Sequence, residues 1–141
     1  QIICFPEDFL FGPFDYYNKK EIEKILINNQ KIINFFSKKA KENNINIITG
    51  TIIRKVKNKL FNSCFVFNNK GEIIHLHDKQ KLVPYGFEKE NITPGNNEIK
   101  PFIINNIKCG VLICRETFLY AIFSKIKKTG DRNYLCSGLL G

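Results

Sequence analysis

The sequence predicts an α/β protein in which helices lie along one face of a mixed β-sheet. Residues 111–113 are apolar without interruption, which is typical of a strand buried on both faces. Between Lys19 and Asn43 the apolar residues recur at spacings of three and four, which is typical of an amphipathic helix. Strands that alternate with helical segments in this way are characteristic of an α/β domain.

The composition indicates a globular chain without a membrane span or a nucleic-acid partner. Of the 141 residues, 43% are hydrophobic and 25% charged, and no apolar run approaches the ~18 residues that cross a membrane. The net charge of +9 raises the question of nucleic-acid binding, but the lysines are scattered and lack interleaved aromatic residues on which bases could stack. The five cysteines include no C-x-x-C pair, and their odd number argues against a closed disulfide framework, so a reducing, cytoplasmic location is expected.

Two strands and one helix are predicted in the first part of the chain. Residues 2–5 form a short strand that ends at Pro6, because proline cannot donate to a strand ladder. The helix runs from Lys19 to about Asn43 and ends at a pair of asparagines. Residues 45–53 are predicted to form one buried strand, in which Gly50 permits a close approach of another backbone segment.

Two β-hairpins are predicted in the middle of the chain. Residues 60–67 and 72–77 are joined by the turn sequence N-N-K-G, and residues 102–104 and 107–113 are joined by N-N. Between the hairpins, residues 78–97 show no sustained period and contain two prolines and two glycines. We expect this segment to be a long loop, and long ordered loops in compact domains are often functional.

Cys114 lies where the second hairpin ends, and residues 117–128 are predicted to form a helix after it. A cysteine at a strand-to-helix turn has an accessible thiol, and the free amides at the start of a helix can stabilise a thiolate or an oxyanion. The alternative is that Cys114 is a small buried apolar side chain, as most free cysteines are. The tail from Gly130 onwards has no pattern that assigns it to an element.

Glu7 and Lys79 also lie directly after predicted strands, as Cys114 does. Catalytic residues of α/β proteins commonly gather at strand ends, so these three side chains are candidates for one site. The alternatives are a solvated loop carboxylate and an ordinary surface lysine. His75 and His77 are two residues apart on one strand, but no third ligand follows at a useful spacing, so we expect no metal site.

Three motifs, in this order along the chain, resemble the signatures of the nitrilase (carbon–nitrogen hydrolase) superfamily. They are F-P-E at residues 5–7 with Gly12 shortly after, D-K-Q-K-L-V-P at residues 78–84, and G-V-L-I-C-R-E at residues 110–116. The resemblance implies an α-β-β-α sandwich that needs no metal or organic cofactor. The chain opens on a strand-like segment without an initiator methionine, so residues 1–141 are expected to be one partial domain, truncated at both ends.

The resemblance also implies a role for each polar residue of the motifs. Glu7 corresponds to the general base, Lys79 to the cation that stabilises developing negative charge, and Cys114 to the nucleophile. Glu88 matches the position of the family's second glutamate, and Glu90 is the less suitable candidate for that position. The cysteine needs a base or a nearby cation, because a thiol at its free pKa is mostly protonated at neutral pH.

Arg115 departs from the family's pattern, which often has an aromatic residue at this position. Residues 118–120 likewise read F-L-Y where a second F-P-E is common. A guanidinium group suits a carboxylate, so one interpretation is that Arg115 binds a carboxylate of the substrate. The other is an internal ion pair with Glu116 or with a distant acid.

The expected activity is hydrolysis of a small-molecule amide or nitrile through a cysteine thioester, by a protein that is a homo-oligomer at full length. Residues 82–86 (L-V-P-Y-G) also resemble the apolipoprotein N-acyltransferases, a membrane branch of the superfamily in which an amine attacks the acyl-cysteine. That alternative predicts transmembrane helices in a preceding segment and a membrane location. A third interpretation is an inactive binding protein with the nitrilase fold.

Overall fold

The computed structural model describes residues 1–96, 99–118 and 133–138. These residues form two β-sheets, a long helix and a short helix, with two 3-10 turns. In chain order the elements are β1 (Ile2–Cys4), a 3-10 turn (Phe14–Tyr16), α1 (Lys19–Asn43), β2 (Asn46–Ile48), β3 (Ile52–Val56), β4 (Lys59–Phe67), β5 (Ile73–Asp78), α2 (Gly86–Asn91), β6 (Phe102–Ile104), β7 (Ile107–Ile113), a 3-10 turn (Cys114–Phe118) and β8 (Asn133–Gly138).

The first sheet is built around β4, whose nine residues pair with three other strands. β2 pairs antiparallel with its C-terminal end, β3 with its N-terminal half, and β5 with residues 63–67. β1 pairs parallel with β2, which makes the sheet mixed. The turn between β4 and β5 confirms the first predicted hairpin.

The second sheet has β7 in the middle, antiparallel to β6 and parallel to β8. Asn105 and Asn106 join β6 to β7 with φ values of 50° and 62°, as a two-residue hairpin turn of type I′ requires. This arrangement confirms the second predicted hairpin. The buried residues of β7 confirm the prediction that residues 111–113 are a strand covered on both faces.

Two of the apolar clusters are layers between elements, one between the two sheets and one between α1 and the first sheet, and a third is formed by Phe14, Ile25, Ile53 and Ile92. Burying one large aliphatic or aromatic side chain in such a cluster contributes about 1.5–3 kcal/mol. The layer between the sheets consists of Ile48, Cys64, Val66, Phe102, Ile104, Cys109, Val111 and Ile113. The layer under α1 consists of Phe36, Ala40, Ile45, Ile47, Ile52, Phe65 and Phe67.

Helix α1 confirms the predicted helix, and its ends follow from its capping residues. The Asn18 side chain accepts hydrogen bonds from the amides of Lys20 and Glu21, and the Glu21 carboxylate accepts from the Asn18 amide, which forms a capping box. Asn44 ends the helix in the left-handed conformation with φ 53°. No helix of the described residues is long and apolar enough to cross a membrane.

The prediction of one strand over residues 45–53 is wrong, because β2 and β3 are separate strands. Both pair with β4, with a shift of one residue between Ile48↔Val66 and Ile52↔Ser63, and Gly50 lies in this irregularity with φ +66°. A Cβ atom on Gly50 would lie 2.0 Å from the carbonyl oxygen of Pro6. The predicted close approach of another backbone segment at Gly50 is therefore confirmed, and it is this contact that breaks the strand.

The segment predicted as a long loop over residues 78–97 contains the short helix α2. Six residues are too few to show a helical period, so the pattern could not reveal it. Of the predicted helix over residues 117–128, only the first two residues are described, and they belong to the 3-10 turn Cys114–Phe118; residues 119–132 lie outside the described residues. The unassigned tail contains β8.

Two facing sheets replace the single sheet that the element order predicts. The shared apolar layer shows that the sheets pack face to face, and α1 covers the outer face of the first sheet. These three layers match the α-β-β part of the sandwich that the motif resemblance implies. The predicted second helical layer would fall among residues 119–132, outside the described part of the chain.

Candidate active site

One cavity of about 200 Å³ is lined by Glu7, Lys79, Glu88 and Cys114. Each comes from a different part of the fold: the loop after β1, the residue after β5, helix α2 and the residue after β7. The structure thus brings together the four residues for which the motifs imply catalytic roles. A larger cavity of about 670 Å³ lies along α1 and α2, and none of these four residues lines it.

Lys79 is the central residue of the cavity. Its Nζ donates to Glu7 Oε1 at 2.9 Å and to Glu88 Oε1 at 2.8 Å, and its side chain is only 1% exposed. Burial acts to lower the pKa of Lys79, but the charges and hydrogen bonds of the two carboxylates outweigh it and raise the pKa. Lys79 is therefore an ammonium, and two of its three N–H donors are used by the carboxylates.

Glu88 is held at both of its carboxylate oxygens. While Oε1 binds Lys79, Oε2 accepts a hydrogen bond from the amide of Val83 at 2.8 Å. Val83 lies near the C-terminal end of the D-K-Q-K-L-V-P motif, so Glu88 connects that end of the motif to Lys79. Glu90 lies two residues further on in α2, is exposed, and does not line the cavity with Glu88.

Cys114 adopts a strained backbone conformation at the end of β7. Its φ of 46° lies in the left-handed region, which costs a residue other than glycine about 1–3 kcal/mol. The Thr117 hydroxyl donates to the Cys114 carbonyl oxygen at 2.7 Å and helps to hold the turn. The turn leaves Cys114 half-buried in the cavity wall. A nucleophile at the end of a strand is accessible to substrate in such a position.

The thiol of Cys114 is mainly protonated in the resting site. Burial raises its pKa, the Glu7 charge and a hydrogen bond with Glu7 raise it further, and Lys79 and the Arg115 amide oppose the rise. A thiol hydrogen-bonded to a carboxylate can transfer its proton directly when the sulfur attacks. The arrangement therefore suits Glu7 as a proton acceptor for Cys114.

Glu116 is fully buried and connects the two strand ends that carry Lys79 and Cys114. Its carboxylate accepts hydrogen bonds from His77 Nε2 at 2.8 Å, the Gln80 amide at 2.6 Å and the Ile113 amide at 2.7 Å. Burial acts to raise the pKa of Glu116, but the hydrogen bond and charge of His77, with the two amides, lower it. Glu116 thus stays ionised in the interior.

Arg115 lies on the surface and does not line the cavity with Cys114. Its Nη1 donates to the carbonyl oxygen of Leu82 at 3.2 Å. The proposed ion pair with Glu116 is absent from the described residues, because the Glu116 carboxylate bonds to His77 and two amides instead. A substrate carboxylate as the partner of Arg115 remains a prediction.

The two histidines that share a strand are used in packing and hydrogen bonding. His77 bonds to Glu116, and His75 stacks on Phe102 with ring centroids 4.7 Å apart. Burial, with a smaller contribution from His77, lowers the pKa of His75 to about 4. Among the described residues, no group of three potential ligands could hold a metal ion.

Sequence reasoning missed three polar residues of this region: Asp8, Asn62 and Glu116. Asp8 and Asn62 line the cavity, and Asn62 donates to the carboxylates of Glu7 and Glu88. Burial, and then the charges of Glu7 and Glu88, raise the pKa of Asp8 to about 7. The available signals were weak: Asn62 interrupts an apolar strand pattern, Asp8 follows the F-P-E motif, and Glu116 is the last residue of the third motif.

Comparison with known proteins identifies the family. The family model described as carbon–nitrogen hydrolase matches residues 1–130. Nitrilase homolog 2 from Dictyostelium discoideum is 32% identical over 120 residues, which cover 79% of this chain and 34% of that protein. A hydrolase in the agr operon of Staphylococcus lugdunensis is 29% identical over 93 residues, which cover 65% of this chain and 40% of that protein.

Solved structures share the fold at low sequence identity. A carbon–nitrogen hydrolase from Helicobacter pylori G27 superposes with a TM-score of 0.84 at 20% identity, covering 97% of this chain and 47% of that one. An amidase from Nesterenkonia sp. superposes with a TM-score of 0.78 at 16% identity, covering 100% of this chain and 53% of that one.

The chain spans 34% to 40% of the length of these curated relatives and about half of the solved structures. The match to the family model extends through all three motifs and the cavity that they form. This chain belongs to the carbon–nitrogen hydrolase family, the nitrilase superfamily that its motifs resemble.

Proposed function

We propose that the full-length protein is an amidase-type hydrolase that cleaves a non-peptide C–N bond with Glu7, Lys79 and Cys114. The main observation behind this proposal is that the three residues line one cavity. Lys79 Nζ lies 2.9 Å from Glu7 Oε1, and the cavity that contains this ion pair is also lined by Cys114, whose pKa the charge of Glu7 raises. A nucleophile, a base for its proton and a cation for developing negative charge are the three groups that acyl transfer needs.

In the first half of the reaction, Glu7 takes the thiol proton as the Cys114 sulfur attacks the amide carbon. The carbonyl oxygen becomes negatively charged, and the remaining N–H donor of Lys79 and the Arg115 amide are suited to stabilise it. When the tetrahedral intermediate collapses, the C–N bond breaks and the proton held by Glu7 passes to the leaving amine. The acyl group stays on Cys114 as a thioester.

In the second half, water replaces the amine next to the thioester. Glu7 accepts a proton from this water, and the resulting hydroxide adds to the thioester carbon. Collapse of the second tetrahedral intermediate breaks the C–S bond, releases the carboxylic acid and returns the proton to the sulfur. The enzyme is then in its starting state, and no cofactor takes part in any step.

The relatives support this chemistry at the level of the reaction class. Structures of a glutamate-to-glutamine variant of the Nesterenkonia amidase carry acrylamide or the acetamide moiety of fluoroacetamide on the active-site cysteine. Acrylamide is therefore a suitable probe for this protein, because it is both a small amide and an acceptor for a thiolate. Its size is also compatible with the small cavity.

The test uses the full-length protein and acrylamide. We expect the wild type to release ammonia, the Glu7→Gln variant to accumulate an acrylamide adduct on Cys114, and Cys114→Ala to show neither. Cys4→Ser is the control, since Cys4 is exposed on β1 and outside the cavity that contains Cys114, and it should behave like the wild type. If neither ammonia nor a Cys114 adduct forms, or if Cys114→Ala keeps its activity, the proposal is wrong.

A further inference from the structure

Asn62 makes direct contact with all three polar partners at the base of the cavity. It lies in β4 and is 2% exposed. Its side-chain Nδ2 donates to Glu7 Oε1 at 2.9 Å and to Glu88 Oε1 at 3.0 Å, and its backbone carbonyl oxygen accepts from the backbone amide of Lys79 at 2.8 Å. The proposed mechanism does not use Asn62, so these contacts need their own explanation.

Asn62 and Lys79 bind the same two oxygen atoms. Each of these oxygens, Glu7 Oε1 and Glu88 Oε1, accepts one hydrogen bond from the ammonium and one from the amide. The four groups form a closed ring in which donors and acceptors alternate. The ring determines the orientation of the amide, because a flipped Asn62 would place its own oxygen against two carboxylate oxygens.

The orientation that the ring imposes carries an energetic cost. Asn62 Oδ1 is buried and has no hydrogen-bond partner among the described residues. An unsatisfied buried acceptor is destabilising, so it offsets part of the stabilisation that the two Nδ2 hydrogen bonds provide. The other effect of these two bonds is on the position of the Glu7 and Glu88 carboxylates.

The charges in the ring explain why a neutral donor is suitable. Two carboxylates and one ammonium leave the ring with one net negative charge, so Lys79 alone cannot balance both acids. A second cation would compete with Lys79 for the carboxylates, and an acid would repel them. The Asn62 amide adds two N–H donors without adding charge.

We propose that Asn62 is a positioning residue that holds Glu7 and Glu88 on Lys79. It keeps Glu7 within reach of the Cys114 thiol and leaves the third N–H donor of Lys79 for the substrate oxygen. This inference rests on the proposed function of Glu7, Lys79 and Cys114, and it assigns to Asn62 a contribution to turnover that acts through these residues.

The test compares Asn62→Leu with Asn29→Leu in the full-length protein, using acrylamide as the substrate. Asn29 is the matched control, because it too has a buried Oδ1 without a partner among the described residues, while its Nδ2 donates to the Ile53 carbonyl oxygen instead of to the two carboxylates. It lies on α1 and does not line the cavity that contains Cys114. Both variants remove an amide and an unsatisfied oxygen.

We expect Asn62→Leu to lower kcat by roughly 10- to 100-fold while KM changes by less than about threefold, because misplacement of catalytic groups acts mainly on the transition state. In Asn62→Leu the rate of iodoacetamide alkylation of Cys114 should fall together with kcat. In Asn29→Leu both kcat and the alkylation rate should stay near the wild-type values. Asn62→Asp, which keeps the shape but adds a third carboxylate, should lose at least as much activity as Asn62→Leu.

Thermal melts show whether each variant is folded at the assay temperature. If folded Asn62→Leu keeps kcat within about twofold of the wild type, the inference is wrong while the proposed function stands. If Asn62→Leu and Asn29→Leu lose activity in step with their folded fraction, Asn62 is structural and the inference again fails. Absence of wild-type activity and of any Cys114 adduct would instead contradict the proposed function.

Discussion

Lys79 lies between two carboxylates of like charge in a cavity with little access to water. Each carboxylate approaches Nζ to within 2.9 Å or less, and the lysine is almost completely buried. Two acids this close would repel each other without the cation between them. At the scale of single residues, the lysine therefore has a structural role in addition to the catalytic one that we propose.

Replacing Lys79 tests both roles. Lys79→Ala should lower kcat by roughly 100-fold or more, because the stabilising charge at the substrate oxygen is lost. It should also lower the free energy of unfolding by roughly 3–5 kcal/mol, because two carboxylates remain without their partner. Kinetics on acrylamide and denaturant titrations of the full-length protein measure the two effects.

Lys81 is the control for this experiment. It lies two residues after Lys79 in the same motif but is exposed. Lys81→Ala should leave kcat and stability near the wild-type values. If the two alanine variants behave alike, Lys79 is an ordinary lysine and its catalytic role is excluded.

Asp8 gives a prediction about pH and stability. Burial, with the charges of Glu7 and Glu88, raises its pKa in the folded protein from 3.8 to about 7. The folded state therefore binds a proton more tightly than the unfolded chain. The stabilisation that this proton gives is complete below the unfolded pKa and is lost as the pH rises through about 7.

Asp8→Asn removes this titration, so the variant should gain stability relative to the wild type as the pH rises. We expect the difference in Tm, variant minus wild type, to be more positive at about pH 8 than at about pH 5. Glu23→Gln, an exposed substitution on α1, should show no such trend. A difference in Tm for Asp8→Asn that is constant over this range would mean that Asp8 is not a proton-binding group of the folded state.

At the scale of elements, the break between β2 and β3 positions the loop that carries Glu7. Gly50 lies against the backbone of Phe5 and Pro6, the two residues that immediately precede Glu7. The left-handed φ of Gly50 interrupts the strand, and the missing side chain leaves room for this loop. A single glycine thus acts on the shape of the sheet and on the site.

Gly50→Ala should lower both stability and activity more than Gly12→Ala does. Both glycines have a φ near +70°, but a Cβ on Gly12 meets nothing within 4 Å, whereas a Cβ on Gly50 lies 2.0 Å from the Pro6 oxygen. Gly12→Ala is therefore the control: it introduces the same backbone strain as Gly50→Ala but no steric clash. Equal losses in Tm and in kcat for the two variants would show that the contact with the Glu7 loop is unimportant.

At the scale of the whole molecule, Glu116 joins the two sheets of the sandwich by a polar contact. His77 belongs to β5 of the first sheet and Ile113 to β7 of the second, and both donate to the Glu116 carboxylate. Apolar side chains form the layer between the sheets, and His75 of β5 stacks on Phe102 of β6 beside it. Glu116 therefore sets the relative position of the strand ends that precede Lys79 and Cys114.

Glu116→Ala should lower the free energy of unfolding by roughly 3–5 kcal/mol, because it leaves buried donors on His77, Gln80 and Ile113 without an acceptor. Glu42→Ala is the control, since Glu42 forms only exposed ion pairs on α1, and it should have no measurable effect. Denaturant titration of the full-length protein checks both. A small change for Glu116→Ala would mean that water or other groups readily replace the carboxylate.

The local elements and the motif residues can be predicted from the amino-acid sequence alone. Helix α1 and both hairpins follow from apolar period, capping residues and turn residues, which act between neighbours in the chain. Glu7, Lys79 and Cys114 were selected by their positions after strands and by the motif resemblance. The structure shows that they share a cavity, and their catalytic roles remain predictions.

Only the tertiary structure decided how these elements and residues meet. The break at Gly50, the short helix α2 and the division into two sheets depend on contacts between distant segments, which no local pattern contains. Asn62 reaches Glu7 across 55 positions of the chain, and Glu116 reaches His77 across 39. A buried polar side chain is defined by the partners that satisfy it, and these two residues acquire their partners only when the strands that carry them are packed together.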